Sequence, residues 1–111
     1  MKKLYGSIEI NKNLEEEGKS ITKYIDYYKL KDEKYGFEIV KKNDLKQNVQ
    51  VTNINDITEN ESKINNFLNI LVDLEITPER EDVIEDLVKK HIWKVDIILN
   101  SNFCASYWHK N

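Results

Sequence analysis

The sequence predicts an α+β domain: an antiparallel β-meander of about four strands, followed by a two-helix hairpin packed on one sheet face. Three observations carry that expectation. The front half holds four segments rich in Ile, Val, Tyr and Phe that alternate with period two in places. The back half switches to apolar residues three and four apart, the spacing of a helix with one buried face. Between two such stretches stands Thr77-Pro78, and proline in the first turn of a helix forfeits no hydrogen bond. With 111 residues, 40% of them hydrophobic, the chain is long enough to bury one core without disulfides or metals.

The strands are expected at 4–10, 20–31, 35–42 and 48–54. The clearest is 35–42, where Tyr35, Phe37 and Ile39 share one face and Glu38 and Lys42 the other. Lys31-Asp32-Glu33-Lys34 is a polar turn of hairpin length. The connection 11–19 is longer, acidic at Glu15, Glu16 and Glu17, and expected to be mobile; Asn43, Asp44 and the polar run to Asn48 supply the third connection.

The first helix is expected over 59–75. Thr58 and Glu61 have the spacing of a capping box, and the stripe Ile64, Phe67, Leu68, Leu71 marks the buried face. The second is expected over 78–92, with Thr77 as cap and Pro78 at the first helical position. Its stripe is Val83, Ile84, Leu87, Val88, His91, Ile92, and Glu85 with Lys89 and Asp86 with Lys90 pair at i,i+4. Residues 93–99 fit a helical extension slightly better than a strand. A single domain therefore spans 1–99, and 100–111 is a polar and aromatic tail that can dock through Tyr107 and Trp108. The expected core is Ile25, Phe37, Ile39, Val51, Ile64, Phe67, Leu68, Leu71, Val83, Leu87 and Val88.

Three pieces of the chain together resemble an uncharacterised family of small domains from low-GC, spore-forming anaerobic bacteria. They are Tyr35-Gly36-Phe37-Glu38-Ile39-Val40, the helix start at Asp56-Ile57-Thr58, and Ile76-Thr77-Pro78 followed by Asp82-Val83-Ile84-Glu85-Asp86. The resemblance covers residues 20–88 and implies a fold and a lineage, with no assigned activity. The chain departs from the family pattern after Lys90, which makes the segment with Trp93, Tyr107 and Trp108 the place for a specialised role.

Composition narrows the function classes. Charged residues make up 33% of the chain and nearly cancel to −3, which excludes both a disordered polyelectrolyte and a polycation that coats nucleic acid. Residues 1–57 carry eleven lysines against ten acids, and 58–111 carry six basic residues against ten acids, so the halves stand at +1 and −4. Sixteen lysines against one arginine, with a single alanine at Ala105, mark a genome rich in A and T. The lone cysteine, Cys104, cannot form an internal bridge, no window is apolar for the ~18 residues a span needs, and a cytoplasmic protein is expected.

No constellation of catalytic or metal-binding type stands out, and neither enzyme activity nor a cofactor is expected. His91 and His109 lack ligand spacing with each other or with Cys104, and Gly6, Gly18 and Gly36 stand alone rather than in a phosphate-binding loop. A Cys104–His109 dyad would be the only nucleophilic arrangement, and His91 on an apolar stripe reads as a structural histidine.

Two signals point to binding. Asp73, Glu75, Glu79, Glu81, Asp82, Glu85 and Asp86 crowd the corner between the helices; they form either a negative surface for a basic protein partner or a solvated face whose acids complement a helix dipole. With Trp108 they are the candidate partner-binding residues of a non-catalytic regulatory or interaction module. Lys29, Lys31, Lys34, Lys41 and Lys42, interleaved with Tyr24, Tyr27, Tyr28 and Tyr35, are the candidate nucleic-acid contacts of the alternative, a small DNA-binding accessory protein of a plasmid or phage with a winged-helix-like hairpin. Tyrosines that favour strands and lysines that protect edges explain the same pattern without a ligand. An inhibitor that imitates nucleic acid with its acids is a third reading of the corner.

Overall fold

The computed structural model describes residues 1–14 and 18–93. Four strands, β1 (Lys2–Leu14), β2 (Lys19–Lys31), β3 (Tyr35–Lys42) and β4 (Asn48–Thr58), precede α1 (Glu61–Asp73) and α2 (Glu81–His91). The strands pair antiparallel in chain order, β1-β2-β3-β4, and both helices lie on one face of the sheet. This is the α+β meander with a helical layer that the residue patterns predict.

Alternation decides which side chains meet the helices. Ile25 and Tyr27 of β2 and Phe37 and Ile39 of β3 point to them and are fully buried. From the other side come Ile64, Phe67, Leu68 and Leu71 of α1, Ile84 and Val88 of α2, and Ile76 and Ile92 at the helix ends. Each such side chain contributes roughly 1.5–3 kcal/mol on burial. The rings of Phe37 and Phe67 sit 5.1 Å apart, tilted by 50°, at the centre of the layer interface. Tyr27, expected among the interleaved lysines and tyrosines rather than in the core, is buried with its hydroxyl donating to the Ile76 carbonyl at 2.7 Å. Burial then pushes the Tyr27 phenol well above its ordinary range, and the Glu75 charge adds to the effect.

Several expectations are corrected. Val51 faces away from the helices and is 46% exposed. It pairs with Val40, so both belong to the helix-free side of the sheet. The first hairpin is longer than its polar composition indicates: pairing continues from Asn11↔Thr22 to Leu14↔Lys19, with Gly18 at φ 64°, and residues 15–17 lie outside the described residues. Close approach explains Gly36, where a Cβ would stand 2.3 Å from the Ile54 carbonyl oxygen. The Asn43 side chain closes the β3–β4 connection by accepting from the amides of Leu45 and Gln47.

Both helix starts also shift. Thr58 is committed to the ladder with Tyr35, so Asn60 becomes the N-cap and accepts from the Lys63 amide at 3.2 Å. Glu61 turns to Lys29 instead of closing a capping box. Thr77 does not cap α2. Pro78 is buried, its carbonyl accepts from Thr52 Oγ1, and the turn closes through Arg80 N–H to Thr77 before the helix begins at Glu81.

The end of α1 is a Schellman motif: Ile76 N–H donates to Leu71 and Glu75 N–H to Val72, with Glu75 in the left-handed region at φ 52°. A Cβ there is strained, and glycine is the residue that usually occupies this position. Glu75→Gly is expected to raise the unfolding free energy by about 0.5–1 kcal/mol, read as a shifted urea midpoint at unchanged slope. A fall in stability would mean that the Glu75 side chain makes a compensating contact.

Candidate functional site

The acidic residues stand at the end of α1, in the turn that follows it and on the first two turns of α2. Asp73, Glu75, Glu79, Glu81, Asp82, Glu85 and Asp86 are all exposed. Glu81 and Asp82 occupy the first turn of α2, where backbone N–H groups favour negative charge. Two of the seven have ion-pair partners among the described residues: Glu79 meets Lys41 at 3.0 Å, and Glu85 meets Lys89 at 3.0 Å along the helix. Burial raises the Glu79 carboxyl, but its own backbone amide, Lys41 and Thr77 outweigh that and hold it below the usual carboxylate range. Trp108 lies outside the described residues, as do Cys104, His109, the tail 100–111 and the assignment of residues 94–99.

The five lysines of the alternative do not share a surface. Lys29 is buried on the helix face, where Nζ meets Glu61 at 2.9 Å and Asn65 at 3.1 Å. Lys41, on the same face, holds Glu79, so one member of the lysine set neutralises one member of the acidic set. Lys42 is on the opposite face against Asp26 at 2.8 Å, and this contact raises its ammonium above the ordinary lysine value. Lys31 donates to the Glu33 carbonyl and lies 4.6 Å from the Tyr35 ring centre, and Lys34 is exposed at the turn. His91 is half-buried at the end of α2.

Sequence inspection did not single out the helix-free sheet face, although the alternation of Tyr24, Asp26 and Tyr28 is its signal. There Asp26 accepts from Ser7 and faces Lys42; burial raises its carboxyl, and these two partners outweigh the burial and lower it. Lys2 reaches Glu38 at 2.5 Å and lies 4.4 Å from the Tyr28 ring centre. Cations thus already cover rings that a stacking base would need.

Concavities also lie between the sheet and the helical layer. One of about 140 Å³ lies between Ile10, Ile25 and Lys41 on the sheet and Thr77 and Glu79 on the turn. The larger, about 450 Å³, is a groove between β4 and α2, walled by Thr52, Asn53 and Ile54 on one side and Glu81, Ile84, Glu85 and Lys89 on the other, with Trp93 also lining it. Trp93 Nε1 donates to the Ile57 carbonyl at 3.2 Å. Among the described residues, no three His, Cys, Asp or Glu side chains are grouped to hold a metal ion. No helix among them is long and apolar enough to cross a membrane.

The model of a family of unknown function, DUF6514, matches residues 7–90. The chain belongs to that family. The match runs from β1 to the penultimate residue of α2, so the sheet, the acidic corner and most of the groove belong to the DUF6514 region, while Trp93 lies beyond it. No curated protein and no solved structure matches the chain.

Proposed function

We propose that this DUF6514 protein is a non-catalytic interaction module that binds another protein through the acidic corner between α1 and α2. The observation that supports the reading is the exposure of seven carboxylates between the end of α1 and the second turn of α2, only two of which are ion-paired among the described residues. A basic protein surface is the complementary partner, and such charge matching acts mainly on encounter rate and partner choice. The DNA-binding reading has less support, because Lys29, Lys41 and Lys42 are each engaged by a carboxylate and point to different faces. A regulatory role, with the tail and Trp108 as a second contact, belongs to the same proposal. The lysine-rich, arginine-poor composition and the motif resemblance make a low-GC anaerobe the host from which to seek the partner.

Affinity capture from that host with and without nuclease, repeated with Glu81, Asp82 and Asp86 all changed to Lys, is the test. Retention of a protein that survives nuclease and falls at least tenfold with the triple variant is expected. Unchanged capture by the triple variant overturns the corner as the binding surface. Capture that nuclease abolishes, and that Gln at Lys31, Lys34, Lys41 and Lys42 also abolishes, moves the assignment to nucleic acid, whose binding falls steeply with salt.

A further inference from the structure

The two edges of the sheet are protected very differently. β1 carries Lys2 and Lys3 and an irregularity between Leu4 and Gly6, the devices that keep an edge from pairing. β4 shares the irregularity, with Val49 left over between the pairs Lys42↔Asn48 and Lys41↔Gln50, but it lacks the charges: Asn-Val-Gln-Val-Thr-Asn-Ile-Asn, residues 48 to 55, contains no charged residue and no proline. Val49 and Val51 on this stretch are 61% and 46% exposed. The stretch is bounded at its far end, where the Asp56 side chain accepts from the Lys34 amide and Trp93 takes the Ile57 carbonyl. Among the described residues, Gln50 to Ile54 pair with β3 alone, so the outer edge of β4 carries no further strand there, and Thr52, Asn53 and Ile54 of this stretch border the groove under α2.

We infer that this edge of β4 receives an extended basic segment of a partner protein, which adds as a fifth strand and sets alternate lysine or arginine side chains against Glu81 and Glu85. The inference rests on the interaction-module reading and names how that module grips its partner. Main-chain pairing supplies the attachment and side-chain pockets supply selectivity, as in strand addition generally. The spacing fits: Glu81 and Glu85 are one turn apart, a rise of about 6 Å, and residues two apart on a strand are separated by about 6.6 Å. Glu81 has no ion pair among the described residues, and Glu85 is held only by the neighbouring Lys89 of its own helix. A second copy of the chain fits less well. Two-fold pairing of β4 with β4 would bring the Glu81 and Glu85 walls of both grooves together, where like charges repel.

The test uses the full chain, labelled for NMR, and a blocked eight-residue peptide of alternating valine and lysine. Its comparison is the fully N-methylated peptide, which keeps the charges and loses every backbone donor. Binding of the first is expected, with amide exchange within 48–55 slowed at least tenfold. Affinity should fall at least tenfold on N-methylation and at least fivefold with E81Q and E85Q together. Equal affinity for both peptides overturns strand addition and leaves the acidic corner as the binding surface. Failure of both peptides to bind, while the triple charge reversal still abolishes partner capture, overturns strand addition alone. Full protection of the 48–55 amides in the free protein, or a dimer formed through them, shows the edge already occupied and overturns the inference.

Discussion

Phe67→Ala is expected to lower the unfolding free energy by about 3–5 kcal/mol, the range for removing a buried aromatic ring. Phe67 is fully buried on α1 and its ring meets Phe37 at 5.1 Å, so the substitution opens a cavity where the helical layer seats on the sheet. Surrounding strands cannot collapse into it without disturbing the β2–β3 register on which Ile25, Tyr27 and Ile39 depend. Total stability of a domain this size is of order 5–15 kcal/mol, so the variant should be partly unfolded at modest urea concentration. Urea unfolding followed by circular dichroism reads the effect, and a loss below about 1 kcal/mol would mean that the two layers are not seated on this pair.

Gly36→Ala has the next largest expected effect, about 2–3 kcal/mol, through overpacking rather than a cavity. The added methyl would meet the Ile54 carbonyl oxygen at 2.3 Å and the Asn55 Cα at 2.9 Å. Those atoms are backbone, so relief requires β4 itself to move away from β3. Chemical shifts of residues 52–56 should change more than those of β1, and the melting temperature should fall by several degrees. A variant as stable as the parent, with β4 shifts unchanged, would show that the close approach at Gly36 is not maintained in solution.

Legibility differed between the elements for physical reasons. The helix stripes and the Phe37–Ile39 face were readable because periodic burial repeats over several residues and leaves one consistent solution. Cap positions were not, since they depend on competition: Thr58 is drawn into the β4 ladder and Thr77 into the Pro78 turn, and neither event has a local signature. Val51 failed for a related reason, because a sheet covered on one side leaves half of its apolar strand residues facing away from the helices. Among the candidate site residues, the exposure of the acids followed from their position on a turn and on the outward side of a short helix. The pairing of Lys29 with Glu61, Lys41 with Glu79 and Lys42 with Asp26 spans 16 to 38 residues of chain, and only the register reveals it. The groove beside β4 likewise depends on where α2 lands relative to an edge.

The sequential order of the strands has a consequence for how the chain acquires its structure. Among the described residues each strand bonds only to its chain neighbours, so the sheet can assemble as successive hairpins, with little loop entropy lost at any step. The helices that cover it follow the sheet in the chain. During synthesis, the 34 residues from Glu59 to Ile92 emerge after the sheet sequence, and at about 5–20 residues per second that takes roughly 2–7 s. For those seconds Ile25, Tyr27, Phe37 and Ile39 form a wet apolar surface, and the nascent meander is the species most in need of a chaperone.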